Sequence, residues 1–391
     1  MKQILKQLHF LTVQAIFVGI VLLFISCGSP NPVGSPTQQG RGNVPVQAGT
    51  ITAGEWNDLA NWSFWQRLFA SWQYIVQPWQ IQPAERVVVE VLNEQNLALP
   101  NIVISLKDSL GIVTLAQARS DNSGMVFLFP TMLGVPTRIG SVNTVRIVAE
   151  VNGQSIDVGM AEVNSAQPTR IKLPIARTVS RTLDVMFVVD ATGSMGDEIQ
   201  YLKVELQDVL RRAQQQSGMT QLRMASVFYR DYGDDYVVRP FPFTTDINSL
   251  VNFIGRQDAS GGGDFPEAVD EALVEAVTKQ QWSGSAVNRL LFLILDAPPR
   301  LNSSVVERLQ RVMRQAAVQG IRIIPITASG INRETEALMR SLAIGTGGTY
   351  IFITDNSGVG NDHLEATVGR YDVEFLNNLI LRLLLKYTVI P

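Results

Sequence analysis

A small β-sandwich followed by an α/β doubly wound domain is the architecture the sequence predicts, and three observations predict it. From Glu85 to about Leu173, short alternating apolar and polar runs are broken at regular intervals by Asn, Gly, Asp and Pro, the pattern of antiparallel strands. From Leu183 onward, apolar strands alternate with helical patterns, which implies a mostly parallel sheet covered by helices on both faces. The chain has 391 residues, 46% hydrophobic and 17% charged, enough for two or three domains with buried cores.

The N-terminal elements come first. Lys2 and Lys6 precede an apolar run from Phe10 to Ile25, the charged head and apolar body of a secretory signal. The run is slightly short for a membrane span, although an uncleaved anchor is the competing reading. It ends in LLFISCGSP. Ser26 before Cys27 resembles the lipobox of bacterial lipoproteins, where a signal peptidase cuts before a lipidated cysteine. Phe24 departs from the aliphatic residue usual there. Residues 1–26 are therefore read as a lipoprotein signal peptide and Cys27, the single cysteine, as the lipidation site. Residues 27–48, rich in Gly, Ser, Pro and Gln, form a flexible tether. The resemblance implies a lipid-anchored protein of the bacterial cell envelope. With Gly28 after the cysteine, it implies the outer membrane if the cell is Gram-negative.

Residues 49–84 read as a Trp-rich connector, holding five of the six tryptophans: Trp56, Trp62, Trp65, Trp72 and Trp79. These rings either form a stacking surface for a ligand or clamp a helix or two against the neighbouring domain. The large area an aromatic ring buries favours the clamp. Residues 85–175 are the sandwich, a transthyretin- or immunoglobulin-like unit. Within it ARSDNSGMVFLFP is similar to the turn of bacterial transthyretin-like or carboxypeptidase-regulatory-like modules, which serve as spacers or adhesive units.

Residues 182–388 are the α/β domain. Its strands are LDVMFVVD, LRMASVFYRD, RLLFLILDAPP, IRIIPITA and TYIFIT. Helices are expected over Met195 to Gln216, Asp264 to Lys279, Ser304 to Gln319, Arg333 to Leu342 and Val373 to Lys386. YVVRPFPF reads as a short antiparallel edge strand. In such sheets ligands bind beyond the carboxyl ends of the strands. Three loops there carry oxygen-bearing side chains: Asp190, Thr192 and Ser194 in DATGS, Asp264 after the glycines of ASGGGDFPEA, and Asp296 in LFLILDAPP. Carboxylates and hydroxyls without sulfur or imidazole suit a hard cation, Mg2+ first, or Mn2+ or Ca2+.

Those motifs resemble a von Willebrand factor type A domain with a metal-ion-dependent adhesion site, on a Rossmann-like fold. The family pattern is Asp-x-Ser-x-Ser, with a threonine from a second loop and an aspartate from a third. Asp190, Thr192 and Ser194 match the first loop, with Thr in place of the first Ser, and Asp296 matches the third. Asp264 stands where the threonine is expected. It reads as a direct or water-mediated ligand, with capping of its own helix as the competing role. Asp231, Tyr232 and Asp234 in FYRDYGDDY are either a ligand rim or a solvated turn. Asp197 and Glu198 are assigned to the first turn of the following helix, and Asp270, Glu271 and Glu275 to the outer face of theirs.

Other chemistries lack their residues. The net charge of −3 and the absence of a basic tract exclude nucleic acid as a partner. Of the two histidines, His9 lies in the leader and His363 in a loop-like stretch, which argues against a histidine zinc site or a Ser-His dyad. A haloacid-dehalogenase phosphatase wants a second aspartate where Thr192 stands. There is no phosphate loop with a lysine. The expectation is a non-enzymatic, lipid-anchored module that binds a protein or glycan through a divalent ion. The alternative is an envelope assembly component in which the metal only stabilises the fold.

One consequence concerns anchoring. Replacing Cys27 by Ser should abolish incorporation of a clickable fatty acid in cells and leave an unprocessed precursor. Equal labelling of both proteins would exclude lipidation.

Overall fold

The computed structural model describes residues 46–133, 143–178, 180–216 and 221–388. The signal peptide, Cys27 and most of the tether lie outside the described residues. Strand β1 (Thr52–Trp56) and helix α1 (Trp62–Val76) come first. Seven strands follow: β2 (Val87–Asn93), β3 (Val103–Lys107), β4 (Thr114–Arg119), β5 (Met125–Leu128), β6 (Thr144–Val151), β7 (Gln154–Glu162) and β8 (Thr169–Leu173). The alternating part then runs β9 (Thr182–Asp190), α2 (Ile199–Gln216), β10 (Gln221–Tyr229), β11 (Val238–Thr244), α3 (Ile247–Gly255) and α4 (Val269–Val274). It closes with β12 (Asn288–Leu295), α5 (Ser303–Gln319), β13 (Ile321–Thr327), α6 (Arg333–Thr346), β14 (Tyr350–Ile353), β15 (Val373–Phe375) and α7 (Leu376–Lys386).

The main sheet has the order β11-β10-β9-β12-β13-β14-β1-β15. Its five central strands are parallel, and β11 pairs antiparallel at one edge. Side chains of β9 alternate between two cores. Met186 and Val188 face the layer of α1, α4, α5 and α6, while Val185, Phe187 and Val189 face α2, α3 and α7. Every residue of β12 is buried, as expected of a strand covered on both faces. Asn302 and Asn332 cap α5 and α6 through their side chains, and Gly320 and Gly347, in the left-handed region, end them.

Several helix boundaries differ from the expectation. Residues Gly193–Asp197 form a 3₁₀ turn before α2. The stretch from Asp264 contains only the short α4 and a π-helical turn, Glu275–Lys279. The last helix starts at Leu376, because Val373–Phe375 pairs as a strand with β1. Helix α3, capped by Asp246, was not anticipated.

The segment 49–84 is no mere connector. Strand β1 is inserted between β14 and β15, antiparallel to both. At Gly54 a Cβ would come within 2.6 Å of the Phe352 ring and 2.7 Å of Tyr371, so only glycine allows these aromatics to lie over the strand. The buried carboxylate of Glu205 on α2 accepts the backbone N–H groups of Gly49, Thr50 and Ile51 at 2.8–3.1 Å. All five tryptophans of the segment are buried, so they pack α1 onto α6 rather than present a stacking surface.

At that contact Arg340, fully buried on α6, donates to both oxygens of Asp58 at 2.9 and 2.6 Å and to Glu336 at 3.1 Å. Its guanidinium lies 5.3 and 5.4 Å from the rings of Trp65 and Trp72.

Strands β2 to β8 form two sheets, β5-β2-β8 and β4-β3-β6-β7, whose inward side chains make one cluster. This unit meets the main sheet at the starting ends of its strands. Asn101 donates to Ala286 O and accepts from Arg289, and Asn122 donates to Lys386 O and accepts from Asn288 at the start of β12.

Arg340→Ala should cost about 3–5 kcal/mol, because Asp58 would be left as a buried carboxylate without its ion pair, while Glu336 keeps Arg333. Urea unfolding measures it. A loss below about 1 kcal/mol would show that the cluster is not held by this ion pair.

Candidate metal and ligand site

Two adjacent parallel strands deliver acids to the same edge. Asp190 is the last residue of β9, and Asp296 follows the last residue of β12. Both are buried, at 0% and 4% exposure. One oxygen of Asp190 accepts the backbone N–H of Thr192 at 2.9 Å and its hydroxyl at 2.7 Å. The Thr192 hydroxyl also lies 3.2 Å from that of Ser194. Asp190 Oδ2 and Asp296 Oδ1 have no hydrogen-bond partner. Burial and the neighbouring Asp296 push the Asp190 carboxyl well above the usual carboxylate range. Burial raises Asp296 too, against a bond from Ser194.

The third acid is Glu267, which the sequence did not single out. It is 3% exposed and its Oε2 is unpartnered. Burial, then Asp190, Asp231 and Asp296, push its carboxyl up to about 9. Its backbone N–H donates to Pro298 O at 2.9 Å, and Glu267 bridges to Pro299. That bridge aligns the second loop with the third and turns Glu267 inward.

Asp264, expected at the ion, is elsewhere. Its side chain is 61% exposed and its carboxylate pairs with Arg300 at 2.7 Å. It does not cap α4 either, since the N-cap position is Ala268. Arg300 also pairs through both guanidinium nitrogens with Asp231, which is buried and held below the usual range by this pairing despite its burial. Asp231 is thus a loop anchor rather than a solvated rim acid. Asp234 is a staple: one oxygen accepts Asp231 N–H at 3.0 Å and Gly262 N–H at 2.8 Å. Tyr232 stays 42% exposed at the rim. Asp270 is fully buried and bound by Arg308 at 2.6 Å, and Glu275 is buried too, so neither lies on an outer face.

The glycines before Asp264 are required by close approach. A Cβ on Gly261 would sit 2.4 Å from the Asp234 carboxylate, and one on Gly262 would lie 2.9 Å from Glu267 Oε1. Both have positive φ, +81° and +73°. The resulting cleft, about 420 Å³, is lined by Ser194, Asp264, Phe265, Glu267 and Asp296 among others.

Among the described residues no group of three or more carboxylate, imidazole or thiolate side chains is set as a ready cage for a metal. The donor set is nevertheless that of a hard cation: hydroxyls of Thr192 and Ser194, and three buried carboxylates each with an unpartnered oxygen. Buried carboxylates without partners carry a desolvation penalty that a divalent ion offsets.

Behind the first loop lies a group the sequence reading set aside. His363 is 4% exposed in its side chain. Its Nδ1 lies 2.8 Å from Asp355 and its Nε2 3.0 Å from Glu198. Glu198 also accepts Ser329 N–H at 3.0 Å, so it ties loops together rather than serving the dipole of α2. Asn361 donates to Asp197 at 2.7 Å. No sequence signal pairs residues 165 positions apart, as Glu198 and His363 are.

Desolvation lowers the His363 pKa, but the bonds from Glu198 and Asp355 outweigh it, and the net shift is upward from 6.5. A raised histidine pKa stabilises the fold fully below the unfolded value and loses that contribution as pH rises through the folded one. The stability difference between wild type and His363→Gln should therefore be largest near about pH 5.5 and shrink toward about pH 9. Urea titrations across that range check it, and a difference that grows with pH would contradict the charged clamp.

The comparisons follow the geometry. Residues 184–356 match the family model described as von Willebrand factor A domain. A RING finger protein of the ariadne-like kind from Acanthamoeba polyphaga mimivirus is 31% identical over 132 residues, 33% of this chain and 12% of that protein. The von Willebrand factor A domain-containing protein 7 of Rattus norvegicus is 30% identical over 194 residues, 46% of this chain and 20% of that protein. The chain thus spans a fifth or less of the length of these curated relatives. Among solved structures, the conserved hypothetical protein BatB from Bacteroides thetaiotaomicron aligns with TM-score 0.36 and 15% identity, over 52% of this chain and 98% of that one. An aerotolerance-related membrane protein from Bacteroides fragilis aligns with TM-score 0.34 and 14% identity, over 53% and 98%. With its motifs at the strand ends and the match over residues 184–356, the chain carries a von Willebrand factor A domain.

Proposed function

We propose that this protein is a non-catalytic binding module of the bacterial cell envelope, lipid-anchored through Cys27, that engages a protein or glycan through a divalent cation. The observation that carries the reading is the presence at one sheet edge of three buried carboxylates, Asp190, Glu267 and Asp296, each with an oxygen that has no hydrogen-bond partner in the cleft loops. The cation of choice is Mg2+, with Mn2+ and Ca2+ as alternatives. Asp190, Asp296, Thr192, Ser194 and Glu267 would hold it, directly or through water. Asp264 belongs to the rim, where Arg300 keeps it. When bound, the cation supplies an electrophilic coordination position for an oxygen of the ligand. The chain's own residues build the cleft. Asp190 orients the Thr192 hydroxyl, Pro298 and Pro299 hold the Glu267 backbone, and Asp234 joins two of the loops. We read strands β2 to β8 as a transthyretin- or immunoglobulin-like spacer, packed at the strand ends far from the cleft.

The crowding of these acids also favours a second reading, in which the cation is a staple for an assembly component. Binding to the folded state alone raises stability in either case. The readings part on chelation. A binding module stays folded without the ion, whereas a stapled fold loses much of its stability.

Asp296→Ala should weaken Mn2+ binding by about tenfold or more, each 1.4 kcal/mol being a factor of ten, and keep the α/β circular dichroism. Calorimetry on wild type and variant, with thermal melts in EDTA, checks both points. Equal Mn2+ affinity in the two proteins, or none in wild type, would overturn the metal site.

A further inference from the structure

The loops of the site leave three large hydrophobic side chains exposed: Tyr232 at 42%, Phe265 at 45% and Leu301 at 55%. Each comes from a different loop, and each is the immediate chain neighbour of a member of one ion-pair cluster. Arg300, next to Leu301, binds Asp231, next to Tyr232, and Asp264, next to Phe265. The guanidinium also lies 5.4 Å from the Tyr232 ring. One cation therefore fixes an apolar rim in place beside the cleft, which Phe265 itself lines. Exposed apolar groups on a pre-ordered frame, with a polar centre, are the composition of a protein-binding surface.

The charge of the mouth restricts what can dock there. Acids outnumber cations on these loops: Asp231, Asp234 and Asp264 surround Arg300, Arg230 faces Asp235, and Asp190, Asp296 and Glu267 lie behind them. Next to them, Asp270 and Glu271 share only Arg308, and the Tyr232 hydroxyl lies 3.3 Å from Glu271. A further carboxylate brought by a ligand would meet this excess at close range, where like charges are strongly disfavoured. Asp296 and Glu267, nine-tenths buried with unpartnered oxygens on the cleft, mark where the polar group of a ligand or its cation is received.

We propose that this face docks a peptide segment of a partner protein in which apolar side chains flank a neutral or basic polar group, and that it rejects acidic segments. The inference rests on the metal reading for the centre of the site and on the chain's own side chains for the rim. Tyr232, Phe265 and Leu301 receive the flanking apolar groups. The centre takes a hydroxyl, amide or carbonyl oxygen at the ion, with the acidic surround favouring Lys or Arg nearby.

The test is selection of a random short-peptide library on the purified full chain in Mg2+, eluted in one arm with EDTA and in another with concentrated salt. The expected pool is rich in Phe, Leu or Tyr beside Lys, Arg, Ser or Thr, and poor in Asp and Glu. A synthetic peptide from it should lose about tenfold in affinity on the double variant F265S/L301S. Mn2+ titration of the wild-type chain is run beside it. An acidic pool, no enrichment in either arm, or equal affinity for the variant would overturn the proposal. The Mn2+ titration judges the metal reading separately. Salt-eluted, rim-dependent peptides without Mn2+ binding would sink that reading and keep the docking face.

Discussion

Two buried carboxylates at the ends of neighbouring parallel strands repel each other, and the loops around them are arranged on that constraint. Asp190 and Asp296 arrive together because β9 and β12 are hydrogen-bonded in register. Neither can be solvated, since both are buried, and each keeps an oxygen without a partner. Glu267 adds a third charge from the loop bridged to Pro299. Arg300 is committed to Asp231 and Asp264 at the rim. Acids placed in this way inside, with the arginine outside, carry a desolvation cost that protonation or a cation would offset. The glycines at 261 and 262 follow from the same crowding, because the backbone must pass between carboxylates.

What was legible in the sequence is what depends on local pattern. Continuous apolar runs such as VMFVVD and LFLILD announce strands buried on both faces, and the acid that ends each marks the functional edge. The meeting of Asp190, Thr192, Ser194 and Asp296 at one sheet edge was readable for that reason. Glu267 was not. GGGDFPEA holds two acids, and the glycines draw attention to Asp264. The choice between them is made by a long-range pairing, Glu267 with Pro299, and by Arg300, which removes Asp264. His363 failed in the same way. Its partners are eight and 165 residues away, and only the folded chain brings the two carboxylates to one ring.

Strand β1 shows the limit most clearly. TAGEW has neither β-branched enrichment nor alternation strong enough to read as a strand. It becomes one because β14 and β15 offer two free edges, and because Gly54 lets aromatic rings lie across it. The tryptophans after it were read correctly as a clamp, since rings of that size are worth most when buried. The polar half of the clamp, Asp58 and Glu336 on Arg340, left no mark in the sequence, because its members lie hundreds of residues apart or look like ordinary helix charges.

These connections set the direction in which the molecule is stiff. The sandwich strands meet the starting ends of β12 and the last turn of α7, whereas the acids sit at the finishing end of the same sheet. The chain at Gly49 is bound to Glu205 on α2, the helix that follows the loop after β9. It then runs into β1, and Ile51 O accepts the N–H of Leu376 at the start of α7. The segment from Gly49 is thus fixed by the carboxylate of α2 and by two antiparallel strand pairings at the sheet edge. Two strands, β13 and β14, separate β1 from β12 in the ladder. The cleft is built from loops cross-linked on the two central strands β9 and β12, at the end of the sheet opposite the sandwich contacts.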